Sequence, residues 1–326
     1  MPPLLTPRNA RRLKDARLML FDGGFRRLAE SELLLRALQR RTHLSYVGVD
    51  YPPTADNRPR FGWDRPSHPR LAEIIGRGRG EYAARLHDLL TLRDDLLQIG
   101  PEPTATEPGW RQDPPWLVGL DAVSLYGFMR LRAPARYVEI GSGNSTKFAA
   151  RARRDGALQT RITSIDPSPR AEVDELCDEV VRGPLETADL DRFAALGPGD
   201  IVFFDGSHRA FMNSDAVVFF LEVLPSLRDG VLVGIHDILL PWDYPPRWAH
   251  RYYSEQYLLA CFLLAGGDRL HPVLPCHYVS VHPELSGILD PLWSDGRLGG
   301  PAAPSYAFWL STPTAPQALA AVATAS

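Results

Sequence analysis

From residue 136 to residue 235 the chain alternates between short apolar runs and stretches of helical spacing. The runs fall at 136–140, 161–165, 179–182, 200–204 and 231–235. They are rich in Val, Ile, Leu and Phe, the signature of strands buried on both faces. Helices are expected between them, at about 145–154, 169–178, 187–196 and 212–224. Ser168 before Pro169 reads as a cap followed by a first helical position. "PSLRDG" (225–230) stops a helix and turns into the next strand. Strand–helix alternation at this spacing predicts a parallel, doubly wound α/β sheet. Beyond it, "SEQYLLACFLLAGG" predicts a buried helix closed by Gly266. "LHPVLPCHYVS" and "YAFWLS" predict a closing antiparallel pair, bringing a mostly parallel, Rossmann-like sheet to seven strands.

The first 115 residues pattern differently. Residues 1–45 are basic with helical spacing through Leu28, Leu34, Leu35 and Leu38. Residues 46–69 are broken by Pro, Gly and aromatics and predict irregular chain. Helical spacing returns over 70–99 through Leu71, Ile74, Ile75, Tyr82, Leu86, Leu89 and Leu90. "GPEPTATEPGWRQDPP" (100–115) has the composition of a linker, and 120–131 predicts a helix leading into the sheet. The expected plan is an N-terminal helical and irregular extension (1–115), in which "RFGWDRPSHP" (60–69) either forms a lid touching through Trp63 and His68 or, the favoured reading, packs Trp63 into the core. An α/β domain (116–311) and a loose tail (312–326) follow.

Composition changes this picture little. In 326 residues, 44 % hydrophobic and 23 % charged content is ordinary for a globular chain with a real core. Net charge is −3, which gives no general attraction to nucleic acid or anionic membrane. The first 41 residues hold ten Arg or Lys against Asp15, Asp22, Glu30 and Glu32, a local +6. A solvated helical face is the expected reading, since no RNA-binding motif accompanies it. Three cysteines without a CxxC pair fit a reducing compartment. With no secretory pattern at the start and no apolar run of spanning length, a cytoplasmic protein without a membrane segment is expected. The sequence leaves the oligomeric state open, a homo-oligomer included.

The chemistry gathers where strands end. "YVEIGSGNST" (137–146) carries a strand into Gly141-Ser142-Gly143 and then into a helix. Glycines let backbone approach a ligand closely, and the helix start offers unpaired N–H groups to a carboxylate or phosphate. A dinucleotide fingerprint would place Gly where Thr146 stands, and it gives no reason for Glu139 two residues before the first glycine. The second strand ends at Asp166, 25 residues after Gly141. A carboxylate there can accept both hydroxyls of a ribose.

Glu139 with Gly141, Ser142, Gly143 and Ser145 resembles motif I of the class I S-adenosylmethionine-dependent methyltransferases, with Ser145 in place of the usual third glycine. "SIDPSPR", "DGSH", "HDILLPWDYPP" and "SEQYLL" extend the likeness to a bacterial group acting on small molecules. The resemblance implies S-adenosylmethionine as cofactor. It places Gly141, Ser142, Gly143 and Ser145 at the methionine end, Asp166 at the ribose, Leu185 on the adenine ring and Glu186 at its edge, with Glu139 either touching the ligand or only holding the loop. Tyr126 is expected to reach the methionine part. The implied reaction is methyl transfer to a small-molecule acceptor, at a hydroxyl oxygen.

Asp205, His208, His236 and Asp237 fall on loops after the fourth and fifth strands, where a base is useful. In catechol-type relatives, carboxylates at these ends bind Mg2+, so Asp205, His236 and Asp237 are also candidate ligands of a divalent ion. His236 stands there where those families place an acid, which suits Mn2+, Fe2+ or Zn2+ better. A metal-dependent hydroxylase on the same fold and a non-catalytic cofactor-binding module are the alternatives. "LLPWDYPPRWAHRYY" (239–253) is expected either to wall a substrate pocket or to cover the sheet edge.

Overall fold

The computed structural model describes residues 58–169, 171–265, 270–298 and 304–312. The basic helix expected before residue 58, the stop at Gly266 and the tail from 313 onward lie outside the described residues. All described residues fall in a unit that begins at Arg58.

Three helices come first: α1 (Pro69–Gly76), α2 (Arg79–Leu90) and the single turn α3 (Arg93–Leu96). α4 (Gly119–Arg132) leads into β1 (Arg136–Ile140), α5 (Asn144–Asp155), β2 (Arg161–Ile165) and β3 (Glu179–Val181). Then come the turn α6 (Asp191–Ala194) and β4 (Ile201–Phe204). α7 is built from Asp215–Val218, a wider π-turn at Phe219–Val223, and Leu224–Ser226. β5 (Leu232–Ile235), α8 (Glu255–Leu264), β6 (His271–Pro275), α9 (Cys276–Val281), α10 (Asp290–Trp293) and β7 (Phe308–Ser311) complete the order.

The seven strands lie in the order β3-β2-β1-β4-β5-β7-β6. β7 runs antiparallel to both neighbours, as expected, and the β1–β5 ladders are parallel. Connections leave β1 toward β2 on one side and β4 on the other. The crevice of an open sheet therefore opens at the carboxyl ends of β1 and β4. All of "IVFF" in β4 and "LVGI" in β5 is buried. Burial on both faces explains why these runs are continuous rather than alternating.

One apolar core runs from Leu71 and Tyr82 through the sheet to Leu310. The boundary expected at 115/116 falls inside that core. The stretch 100–115 has linker composition but is fastened to α5. The Lys147 ammonium donates to the Thr104 carbonyl at 2.6 Å, Arg154 pairs with Glu107 at 2.8 Å, and Trp110 packs on Phe148. Thr312, expected to open a loose tail, is buried, and its hydroxyl donates to the Arg228 carbonyl at 2.7 Å.

Two expected helices shrink because side chains take over backbone partners. After β2, the Ser168 N–H donates to Asp166 Oδ1 at 2.7 Å, so the presumed cap closes a turn and only a short turn at Asp174–Leu176 follows. Before α6, Asp189 accepts the Asp191 N–H at 3.1 Å and restarts the chain there. "CHYVS", expected as strand, is the helix α9.

Candidate active site

Gly141 sits at the crossover with φ +80°, and a Cβ there would lie 1.9 Å from the Asp205 carbonyl oxygen. The ends of β1 and β4 can meet only because this residue lacks a side chain. The Ser142 N–H donates to Asp166 Oδ2 at 2.7 Å, which ties the glycine loop to the end of β2. Each Asp166 oxygen thus accepts one backbone N–H and keeps a lone pair for a ligand. A cleft of about 350 Å³ follows, lined by Gly141, Ser142, Asp166, Leu185, Glu186 and Asp205, among others. Glu186 Oε2 is buried there with no hydrogen-bond partner among the described residues. Such an oxygen fits an amine donor of a bound ligand.

Other expected contacts lie behind the cleft. Glu139 is fully buried and accepts from Tyr137 Oη at 2.8 Å and from Thr146 Oγ1. Burial lifts its pKa to about 7 against the opposing hydrogen bonds from Ser145, Thr146 and Tyr137. Its bonds tie β1 to the start of α5. Gly143 and Ser145 are buried beside it, and the Gly143 N–H donates to Thr146 Oγ1 at 3.1 Å. Tyr126 lies away from the cleft, bonded to Asp155 and Arg130 at 2.8 Å each. Residues 60–68 are fastened to the loop after β5 and to α1. Asp243 accepts the Phe61 N–H at 3.0 Å, the Trp63 indole donates to the Asp243 carbonyl at 2.8 Å, and His68 caps α1.

Past Asp205 lies a second cavity of about 300 Å³. Its floor is Asp205, His208, His236 and Asp237; Trp116, Trp248, Tyr253 and Tyr306 form its walls. His208 and Asp237 both adopt left-handed backbone, φ 65° and 57°. His and Asp tolerate this better than most residues, at about 1–2 kcal/mol each. Such strain, kept at both floor residues, aims their side chains inward.

The floor is a charge cluster with outer supports. His208 Nδ1 is 2.6 Å from Glu255 Oε1 on α8, which turns Nε2 toward Asp205 (3.4 Å) and Asp237 (3.6 Å). His236 Nε2 is 3.3 Å from Asp121 on α4, and its Nδ1 lies 3.5 Å from Asp205 and 3.6 Å from Asp237. Burial alone would lower the His208 pKa, but the negative charges of Glu255, Asp237 and Asp205 outweigh it and lift it to about 9. The same opposition holds His236 well above its ordinary range, with Asp205 and Asp121 the main partners. Burial raises Glu255 to about 7 although His208 pulls the other way.

Glu255 and Asp121 were not anticipated from sequence. Each is an acid in the first turn of its helix, where acids are common, so its type and position in the sequence do not set it apart. The divalent-ion set expected at Asp205, His236 and Asp237 does not close. Among the described residues no group of three or more His, Cys, Asp or Glu side chains is arranged to hold an ion. The imidazole nitrogens stand between carboxylates in ion-pairing range instead.

Within the described residues, no helix is long and apolar enough to cross a membrane. Residues 138–238 match the family model described as a methyltransferase domain. No curated protein matches the chain. Similar solved structures include an O-methyltransferase from Bacillus cereus in complex with SAH, at 12% identity, 75% of this chain and 98% of that one covered, TM-score 0.36. Another is the SAH-bound methyltransferase PaMTH1 from Podospora anserina, at 16% identity, 71% and 95% coverage, TM-score 0.37. A third is cofactor-bound Rv0187 from MTB, at 18% identity, 58% and 81% coverage, TM-score 0.33.

Proposed function

We infer that the chain, whose residues 138–238 match a methyltransferase domain, is a class I S-adenosylmethionine-dependent methyltransferase that methylates an acidic hydroxyl of a small molecule, with His208 as the base. The observation that carries this reading is the position of Asp205. It lines both the cleft with the glycine loop and the aromatic-walled cavity, so the two share one carboxylate.

The bound cofactor supplies a methyl group on a sulfonium, a good leaving group that needs only an aligned nucleophile. In this reading Asp166 takes the ribose hydroxyls, Glu186 accepts from the adenine amine, and Gly141 lets the backbone approach. Glu255 holds the Nδ1 side of His208 and leaves Nε2 to take the acceptor's proton. Glu255 then stabilises the imidazolium that forms. His236, held as a cation by Asp205 and Asp121, offsets the charge growing on the acceptor oxygen.

Magnitudes choose the acceptor atom. A base near 9 takes a proton from a phenol-type hydroxyl, pKa about 10, at a cost of roughly 1.4 kcal/mol. A hydroxyl as weakly acidic as water, near 15.7, would cost roughly 9 kcal/mol. Phenols and enols therefore suit this base.

Calorimetry with S-adenosylhomocysteine and with NAD, on the unaltered chain and Asp166→Ala, tests the reading. Micromolar binding of the thioether, weakened at least roughly tenfold by loss of the charged acceptor, is expected. Tight NAD binding with no response to S-adenosylhomocysteine would overturn it.

A further inference from the structure

The acceptor cavity has a neighbour. A second hollow of about 330 Å³ is lined by Trp63, His277, Val281, Leu285, Leu289 and Trp293, among others. The two share Arg247, Pro304 and Tyr306. Where they meet, the Arg247 guanidinium donates to Tyr306 Oη at 3.1 Å, an exposed contact between two movable side-chain tips. Each hollow alone lies near the lower end of the range for small-molecule sites, about 300–1,000 Å³. One ligand reaching past Arg247 would use both.

Charge orients such a ligand. The floor of the acceptor cavity sets Asp205, Asp237, Asp121 and Glu255 against two imidazoles, so an anion is repelled from it. Arg247 and Arg251 also line that cavity. Arg251 stacks on Trp248 at 4.7 Å, and among the described residues neither arginine is ion-paired with a carboxylate. A planar guanidinium stacked on a ring still presents N–H groups at its edge to a carboxylate. In the outer hollow, burial holds the His277 imidazole at a pKa of about 4, so it is neutral and the lining carries little charge beyond Arg247.

We propose that the acceptor is an aryl acid with an apolar arm: hydroxyl at His208, carboxylate at Arg247, and arm in the hollow beside Trp63 and Trp293. This rests on the methyl-transfer reading and names its substrate class. The aromatic walls Trp116, Trp248, Tyr253 and Tyr306 take the hydroxyl-bearing ring, the Arg247–Tyr306 contact opens to admit the arm, and the carboxylate replaces Tyr306 as partner of the guanidinium.

The test uses three probes: 3-(4-hydroxyphenyl)-2-phenylpropanoic acid, its methyl ester, and 3-(4-hydroxyphenyl)propanoic acid, which lacks the arm. Transfer of labelled methyl from S-adenosylmethionine is read as kcat/KM, with S-adenosylhomocysteine affinity measured on every variant as the check of folding. The arm-bearing acid should exceed both others by at least roughly tenfold. Ser286→Trp, which fills the outer hollow from an exposed position, should bring the ratio of long to short acid near one. Arg247→Met should bring the ratio of acid to ester near one. Equal turnover of the three probes, or ratios untouched by both substitutions, would overturn the proposal. So would absence of transfer to all three while S-adenosylhomocysteine still binds, and the cofactor reading would then stand. Failure of the unaltered chain to bind S-adenosylhomocysteine would remove that reading and this one with it.

Discussion

Glu255→Gln isolates the source of the base. The substitution keeps the size and hydrogen-bonding shape of the side chain and removes one charge 2.6 Å from His208 Nδ1. Burial alone would lower the His208 pKa, while Glu255, then Asp237 and Asp205, raise it from an ordinary 6.5 to about 9. That displacement favours the imidazolium by roughly 3 kcal/mol. At pH 7 only about one His208 in a hundred is then neutral, and at pH 9 about half are. With Gln at 255 the largest raising influence is gone and burial remains, so the titration should fall toward or below 6.5. Asp237→Asn removes a smaller influence and should move it less. The assay is an NMR titration of histidine ring protons between pH 5 and 10.5, with His208 assigned through His208→Asn. It needs no acceptor. The unaltered chain titrating at or below 6.5, or a titration indifferent to Glu255→Gln, would refute the reasoning.

The same proton has a stability sign. Its folded-state pKa is raised, so the stabilisation is fully present below about 6.5 and is lost as pH rises through about 9. Denaturant midpoints should fall across that window in the unaltered chain and fall less in His208→Asn; a midpoint that rises contradicts the charge assignment. Turnover on a phenolic acceptor should climb over the same pH range, and a profile flat from pH 6.5 to 9 would remove His208 as the base. Gly141→Ala should abolish S-adenosylhomocysteine binding, because the added Cβ meets the Asp205 carbonyl at 1.9 Å in a backbone region that costs a side chain about 1–2 kcal/mol; affinity within threefold of the unaltered chain would contradict this. EDTA should leave turnover intact, since the expected ion ligands do not close around a point. Loss of activity restored by Mn2+ would show that they close in solution.

How far the sequence could be read depends on how local the cause was. All five strands of the parallel part are placed within a residue: β4 and β5 as wholly buried apolar runs, β1, β2 and β3 as short stretches rich in Val and Ile between helical spacings. The helices after β2 and β3 are shorter than their spacing predicts because Asp166 and Asp189 spend carboxylate oxygens on nearby N–H groups, and whether they do so is decided by tertiary placement. The stretch 100–115 carries the composition of a linker, and only the distant Lys147 and Arg154 reveal that it is fastened. In the site, the residues at strand ends were legible because an open sheet always exposes its carboxyl edge. The outer carboxylates were not, because Asp121 and Glu255 sit in the first turns of helices that flank the parallel strands in sequence, and only the fold brings them against the two histidines.

That asymmetry explains the chemistry of the cluster. Two histidines on strand-end loops, taken alone, would titrate near neutrality and serve equally as base, ligand or bystander. Each instead has one ring nitrogen committed to a buried acid on a helix, and the other turned to Asp205 and Asp237. The helices α4 and α8 therefore do more than cover the sheet: they fix which nitrogen faces the cavity and how tightly it holds a proton. A strand-end motif locates the reaction, and a carboxylate one layer back sets its strength as a base. Burying Glu255 in the apolar helix α8 is unfavourable in isolation, and only its ion pair with His208 compensates. The substitution that best separates function from packing is thus the neutral isostere of that outer acid, which leaves the packing volume nearly unchanged and removes the charge.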